Sequence, residues 1–248
     1  MTPLLVTGAT GTLGVPTVER LRAAGHEVRS LSRRAGPGLV TGDLLTGAGL
    51  PAALDGVDTV LNLASGRSRD SGGARHLVDA ALAAGVRHLV HVSIVGIDEI
   101  PLGYYREKLA VERVIADSGL PFTILRSTQF HSFVAGLFAG QRFLPVTLAP
   151  AFAVQPIAVE EVAARLVALA SAAPAGRVPD IGGPAARPLP ELAAAWRRAV
   201  GARRPVVPVR LPGATFRAYA AGHGLVPGPA YGRTTFEEHL ASRYAAAR

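Results

Sequence analysis

The feature that most restricts the fold is a glycine-rich segment, TGATGTLG at residues 7–14. The apolar run Leu4 to Val6 precedes it and predicts a buried strand. The pattern from Thr12 to Ala24 predicts a helix, which Gly25 ends. A strand, a tight turn and a helix in this order begin a βαβ unit, so we expect the chain to build a parallel sheet.

The same alternation of apolar runs and helical patterns continues to about residue 126. Further strands are predicted at His26–Leu31, Leu39–Val40, Val57–Leu63, Arg87–Ser93 and Phe122–Leu125. Helices are predicted at Ala74–Ala84 and Tyr104–Ser118. Apolar runs recur in these strands, as in strands that are buried on both faces. The pattern therefore predicts an α/β fold with a doubly wound parallel sheet of the Rossmann type.

Beyond this region the pattern loosens, and glycine and proline become frequent. Helices are still predicted, at Val159–Ala172, Leu189–Val200 and Thr234–Ala246. We expect a single domain over residues 1–248, in which residues 127–150 and 183–248 form most of a smaller C-terminal lobe on the substrate side.

Composition excludes several classes of protein. The 248 residues include no cysteine, which excludes disulfides and thiolate metal sites, and no metal site is expected. The N-terminus lacks the basic start of a signal peptide, and no apolar run reaches the roughly 18 residues of a membrane span. The net charge is +8, but no basic run is interleaved with aromatic residues. We expect a cytoplasmic protein without nucleic-acid or membrane partners, with oligomerisation possible, whose charge serves an anionic cofactor or substrate.

The glycine segment has the spacing and position of a phosphate-binding loop. Glycines allow a tight turn and let the backbone approach a pyrophosphate, while N–H groups at the helix start face its oxygens. The residues expected to contact the cofactor here are Gly8, Thr10, Gly11, Thr12, Leu13 and Gly14.

The end of the second predicted strand indicates which dinucleotide is bound. An acidic residue usually contacts the ribose hydroxyls of NAD at this place, whereas arginine accommodates a 2′-phosphate. The chain has Ser32, Arg33 and Arg34 there and no acid. These residues predict NADP(H), with two solvated surface arginines as the alternative.

Two further segments are expected beside the cofactor. Asp43 and Leu44 follow the third strand, where Asp43 either accepts a hydrogen bond from the adenine amino group or serves a turn. Ala64 and Ser65 follow the fourth strand, where small residues let a cofactor pass.

A single lysine, Lys108, stands among 26 basic residues, and the other 25 are arginine. Tyr104 lies four residues earlier, so both side chains share one face of the predicted helix. Ser93 ends the fifth strand. A compact ammonium can donate to a ribose and sit beside a phenol, whereas a planar guanidinium does not fit that geometry. The alternative is that the single lysine lies four residues after a tyrosine by chance.

Several segments together resemble the short-chain dehydrogenase/reductase superfamily, and most of all its atypical branch of NmrA-like NAD(P)-binding proteins. The segments that carry this resemblance are TGATGTLG, HVSIVGID, YYREKLAVE, SGLPFTILRSTQF, VQPIAVEEVA and RVPDIGGP.

The resemblance implies roles for individual residues. Tyr104 would protonate a substrate carbonyl, Lys108 would lower the pKa of that tyrosine and bind the nicotinamide ribose, and Ser93 would orient the carbonyl. Tyr105 is the reserve for Tyr104 and is otherwise expected at the substrate. Segments after the sixth strand border substrate in this family, which adds Gln129, Phe130 and His131 as candidate substrate contacts. The alternatives are an ordinary core aromatic for Phe130 and a packed or solvated histidine for His131.

The expected function is therefore an NADPH-dependent oxidoreductase that acts on a carbonyl, quinone or related conjugated small molecule. Two alternatives stay open: a non-catalytic NADP(H)-binding sensor, and an epimerase or isomerase that retains NADP.

Overall fold

A seven-stranded parallel sheet dominates the computed structural model, which describes residues 3–66 and 70–244. Its spatial order is β3-β2-β1-β4-β5-β6-β9, which confirms the predicted doubly wound sheet. The order reverses between β1 and β4, and in open α/β sheets this reversal marks the ligand crevice. The described strands are β1 (Leu4–Thr7), β2 (Val28–Ser32), β3 (Leu39–Thr41), β4 (Thr59–Asn62), β5 (His88–Ile94), β6 (Phe122–Ser127), β7 (Thr147–Pro150), β8 (Ala153–Val154), β9 (Gly176–Arg177), β10 (Arg187–Pro188) and β11 (Val206–Val209).

Helices connect the strands of the sheet and extend beyond it. The described helices are α1 (Gly14–Ala23), α2 (Leu50–Leu54), α3 (Asp70–Ala83), α4 (Gly103–Ala116), α5 (His131–Ala139), α6 (Val159–Ala170), α7 (Leu189–Ala199), α8 (Ala214–Ala220) and α9 (Phe236–Tyr244). None of the helices within the described residues is both long and apolar enough to cross a membrane.

The first of two compact units holds the large sheet and is formed by Met1–Ser93, Gly103–Arg126 and Val159–Pro179. Alternate residues of its central strands belong to one buried cluster with α4, as Leu89 and Ile115 show. Side chains alternate across a strand. The residues that follow these buried ones by two positions on β1, β4 and β5 therefore lie on the same face, nearer the carboxyl ends of the strands.

The second unit is formed by Ile94–Leu102, Ser127–Ala158 and Asp180–Arg248. Its own core packs Phe138 of α5 against Trp196 of α7, with ring centroids 6.0 Å apart. It contains two small sheets, β7 with β11 and β8 with β10. The expectation of one domain with a smaller lobe stays a prediction.

The ends of the elements differ from the sequence expectation in informative places. Helix α1 begins at Gly14 rather than Thr12, because the turn closed by the Gly11 N–H and the Gly8 carbonyl (2.9 Å) occupies the residues before it. Helix α3 begins at Asp70, four residues before its predicted start. The last predicted helix ends in the structure at Tyr244, and its predicted final residues, 245 and 246, lie outside the described residues.

Candidate functional site

The glycine loop lies at the carboxyl end of β1, and its backbone is too closely packed for side chains at two glycines. Gly8 has a φ of +64°, and a Cβ there would lie 2.7 Å from the Ala64 nitrogen. A Cβ on Gly14 would lie 2.1 Å from the Gly8 carbonyl oxygen. The loop therefore needs glycine at both positions in order to turn between β1 and α1.

Backbone N–H groups at the start of α1 are open to an anion. Of the residues that the structure describes, none accepts a hydrogen bond from the backbone N–H of Thr12 or Leu13. Thr10, Gly11 and Thr12 are exposed. Unsatisfied N–H groups and the helix dipole attract phosphate oxygens, so this loop fits the pyrophosphate of a dinucleotide.

The end of β2 presents two arginines beside a serine. The Arg34 backbone N–H donates to Ser32 Oγ at 3.1 Å, which fixes the turn. Arg33 and Arg34 are exposed, and neither forms an ion pair with a described residue. Their guanidinium groups are therefore free to bind a phosphate monoester.

Asp43 and Leu44 take part in local structure. Asp43 Oδ1 accepts the Leu45 backbone N–H at 2.9 Å, which makes Asp43 a turn residue. Leu44 is half-buried against the core of the first unit, and its carbonyl accepts His76 Nδ1 at 2.9 Å. The turn alternative for Asp43 thus has direct support, while contact of either residue with the cofactor stays a prediction.

A row of polar side chains crosses the central strands where they end. Thr7, Asn62 and His91 are paired in register across β1, β4 and β5. Thr7 Oγ1 donates to Asn62 Oδ1 at 2.8 Å and accepts the Leu63 and Ala64 backbone N–H groups at 3.2 and 3.1 Å. The row thereby fixes the chain after β4, where Ala64 and Ser65 stand.

His91 and Ser93 carry polar atoms that the described residues leave without partners. His91 is fully buried, with Nδ1 at 3.1 Å from the Asn62 carbonyl, and its Nε2 has no described partner. Burial, with a smaller effect of the Lys108 charge, lowers the pKa of His91 to about 3. Ser93 is 2% exposed, and its Oγ has no described partner either.

Tyr104 is the tyrosine whose hydroxyl lies beside the chain after β4. Its hydroxyl lies 2.7 Å from Ser65 Oγ, and Ser65 Oγ lies 3.4 Å from Asp70 Oδ2. The Ser65 hydroxyl can donate either to the Tyr104 oxygen or to the Asp70 carboxylate, which only accepts. Burial raises the pKa of Tyr104, the Ser65 bond opposes that shift, and the Asp70 charge adds to it. The phenol therefore keeps its proton at neutral pH.

Lys108 lies one turn after Tyr104 on α4 and is almost completely buried. It is 4% exposed. Burial lowers the pKa of Lys108, and the charges of Asp70 and Glu112 partly offset that effect. A buried ammonium is costly unless its hydrogens find acceptors, so hydroxyl groups of a bound ribose fit this position.

The residues predicted to contact substrate lie in different environments. Tyr105 is buried, 4% exposed, with its ring 6.2 Å from that of Tyr104. Gln129, Phe130 and His131 lie in the second unit. His131 is buried, donates Nε2–H to the Thr234 carbonyl at 3.0 Å, and stacks on His239 at 5.3 Å. This packing favours the structural alternative for His131, and the substrate contacts stay predictions.

Sequence reasoning missed Thr7, Asn62, His91 and Asp70 as parts of this cluster. The signal for His91 was present, since it stands two residues before Ser93 and therefore on the same face of β5. The other members come from separate strands and from the start of α3, and only the sheet order brings them together.

The low pKa of His91 predicts a loss of stability in mild acid. Below pH 6.5 the unfolded chain protonates His91 while the folded chain does so only near pH 3, so acid favours unfolding. Between pH 6.5 and pH 5 the wild-type free energy of unfolding should fall by about 2 kcal/mol more than that of His91→Asn. Urea denaturation at both pH values measures this difference.

An exposed histidine provides the matched control for that experiment. His76→Asn makes the same substitution at an exposed position. Equal pH dependence in the wild type and His91→Asn would contradict the assignment of a buried neutral imidazole.

Comparison with known proteins shows which family the chain belongs to. A family model described as NAD(P)H-binding matches residues 8–172. A Streptomyces griseus protein, named (4-alkanoyl-5-oxo-2,5-dihydrofuran-3-yl)methyl phosphate reductase, is 33% identical over 213 residues, which cover 80% of this chain and 74% of that protein. Quinone oxidoreductase 2 of Escherichia coli is 31% identical over 136 residues, which cover 50% of this chain and 48% of that protein.

The fold has close structural counterparts. The structure of an NADPH-dependent quinone oxidoreductase from Escherichia coli, complexed with NADPH, superposes with a TM-score of 0.83 at 23% identity, covering 97% of this chain and 99% of that chain. At this identity the likeness establishes the fold alone. The family match spans well over half of the chain and begins in the glycine loop, which confirms the predicted nicotinamide dinucleotide and the resemblance to the atypical branch: the protein belongs to the NAD(P)H-binding family.

Proposed function

We propose that the protein is an NADPH-dependent oxidoreductase that transfers hydride to a carbonyl, quinone or related conjugated small molecule. The observation that carries this proposal is the pairing of a protonated phenol, Tyr104, with a buried ammonium, Lys108, one helical turn apart at the edge of the sheet that bears the glycine loop. The names of the relatives, a reductase and a quinone oxidoreductase, support the reaction class. The first relative's substrate, as named, is an alkanoyl-substituted lactone, which supports a conjugated acceptor.

The proposed reaction assigns tasks to the cofactor and to three side chains. When bound, NADPH supplies the hydride. Tyr104 Oη donates its proton to the oxygen that gains charge, which completes the addition of two electrons and two hydrogens. Lys108 binds a ribose hydroxyl and stabilises the phenolate that Tyr104 becomes. Ser93 Oγ, which has no described protein partner, donates to the same substrate oxygen.

The arginines after β2 should make the protein prefer NADPH to NADH. Charge-assisted contacts to a phosphate contribute about 1.5–3 kcal/mol, roughly ten- to hundredfold in affinity. Replacing Arg33 and Arg34 together by alanine should remove most of that preference and leave NADH affinity nearly unchanged. Fluorescence titration with both nucleotides measures it.

Arg22, an exposed arginine in the last turn of α1, gives the control. Arg22→Ala should keep the nucleotide preference of the wild type. Equal affinity of the wild-type protein for the two nucleotides would show that the arginines are only solvated surface residues.

The proposed activity is tested by the loss of NADPH absorbance with a panel of quinones, enones and aldehydes. We expect stoichiometric oxidation of NADPH with at least one of them, and the same products in the absence of oxygen. Tight binding of NADPH without turnover of any of these acceptors would favour the sensor instead. Turnover of a substrate without net use of NADPH would favour the epimerase or isomerase.

A further inference from the structure

An exposed apolar patch lies on the second unit, around α5. It consists of Phe133, Leu137, Phe143, Leu144 and Leu148, which are 56, 43, 83, 42 and 38% exposed. Side chains of this type rarely stand together on the surface of a soluble protein, where contiguous apolar patches mark interaction sites.

Helix α5 explains one half of the patch. Its inner face packs Val134 and Phe138 into the core of the second unit. Phe133 and Leu137, one turn apart, share the outer face. A helix that is apolar on both faces is usually covered on both. The described residues leave the outer face of α5 exposed.

Hydrogen bonds hold the other half of the patch next to this helix. The Gln141 side chain donates to the Leu137 carbonyl at 3.1 Å and accepts the Leu148 backbone N–H at 2.8 Å. Arg204 donates to the Gln141 carbonyl and, at 3.3 Å, to that of Leu144. The segment that carries Phe143 is therefore fixed beside the end of α5 and the start of β7.

The chain segments that carry the patch supply charge of one sign. Residues 127–158 contain no Asp or Glu and one arginine, Arg142, which lies 4.6 Å over the Phe143 ring. Residues 192–236 also contain no acid, and they include seven arginines. Of these, Arg203 and Arg204 precede β11, which pairs with β7 so that Val207 lies beside Leu148. The chain segments that carry the apolar side chains thus supply cations and no carboxylates.

We propose that this patch docks on the surface of a membrane that contains anionic lipids, with Phe143 and Leu144 inserted among the lipid chains. Apolar insertion and attraction of arginine to anionic headgroups together give reversible surface binding, about fivefold per arginine. This proposal revises the expectation that the protein has no membrane partner. It rests on the second unit alone and does not depend on the proposed activity.

The charges argue against two other partners for the patch, a second copy of the protein and a nucleic acid. A second copy docked through the same patch by two-fold symmetry would set Arg142, Arg203 and Arg204 against themselves without acids to pair with them. A nucleic acid would use the arginines but would leave the aliphatic part of the patch, Leu137 and Leu148, without a suitable partner.

The test is flotation of the protein, residues 1–248, with vesicles in the presence of NADPH. One set contains phosphatidylcholine only, and the other contains equal parts of phosphatidylcholine and phosphatidylglycerol. We expect the protein to float with the anionic vesicles, and binding to weaken at least tenfold both in Phe143→Ser and in the double variant Arg142→Gln/Arg203→Gln. The matched control pair, Leu82→Ser and Arg75→Gln on exposed positions of α3, should bind as the wild type does.

Three results would overturn the proposal. The first is no binding of the wild type to anionic vesicles. The second is unchanged binding by Phe143→Ser, because binding by charge alone would fit a nucleic acid equally well. Displacement of the vesicles by a competing RNA would show that alternative. The third is a dimer in sedimentation that Phe143→Ser converts to a monomer, which would assign the patch to a second copy. Circular dichroism of each variant shows whether it is folded.

Discussion

Tyr104→Phe is expected to slow the reduction of an identified substrate by about 10²–10⁴-fold, because it removes the general acid. The raised pKa of Tyr104 keeps the phenol protonated at neutral pH, so the wild-type group is ready to donate. The affinity for NADPH should change little, since the hydroxyl is bonded to Ser65 in the protein. Steady-state kinetics and nucleotide titration separate the two effects.

Lysine variants complete this experiment. Lys108→Ala should reduce both turnover and NADPH affinity, and Lys108→Arg should not restore turnover although it keeps the charge. Tyr105→Phe is the matched control and should keep turnover, because that tyrosine is buried. Full turnover by Tyr104→Phe together with its loss in Tyr105→Phe would move the acid to Tyr105. Full turnover by both variants would contradict a tyrosine mechanism.

Arg126→Met is expected to destabilise the protein by about 3–5 kcal/mol, the largest stability effect that we foresee. Arg126 and Glu112 form a two-bond ion pair at 2.9 and 2.7 Å, and both side chains are buried. Removal of the guanidinium leaves the Glu112 carboxylate in the interior without its partner. The free energy of unfolding in urea measures this change.

A surface ion pair provides the control for that variant. Arg87, whose side chain is 75% exposed, pairs with Asp58, so Arg87→Met should change stability by no more than about 1 kcal/mol. The double variant Glu112→Leu/Arg126→Met should regain most of the loss, because it removes both charges of the pair. Equal effects of the two single variants would contradict the role assigned to burial.

The first half of the fold was predictable because its strands are short apolar runs and its helices are periodic. Two elements of the same unit were not: α2 has five residues, and β9, at the edge of the sheet, has two. Helix α5 was missed for a different reason. Its sequence is apolar on both faces, so no 3.6-residue pattern marks it.

The site was predictable where its residues lie close together in sequence. The glycine loop and the Tyr104–Lys108 pair each lie within one short segment of the sequence. The sequence could not decide between Tyr104 and Tyr105, because the decision depends on which hydroxyl lies beside Ser65 in the segment after β4. Nor could it place His91 beside Asn62, because that contact depends on the pairing of β4 with β5.

The central claim is that the protein moves hydride from NADPH to a small molecule. Its most direct measurement uses NADPH with deuterium at the transferred position and follows the acceptor by mass spectrometry as NADP accumulates. We predict one deuterium in each product molecule and one NADP formed for each product, with both accumulating about 10²–10⁴-fold more slowly in Tyr104→Phe. Product without deuterium, or deuterium exchange without accumulation of NADP, would contradict the account.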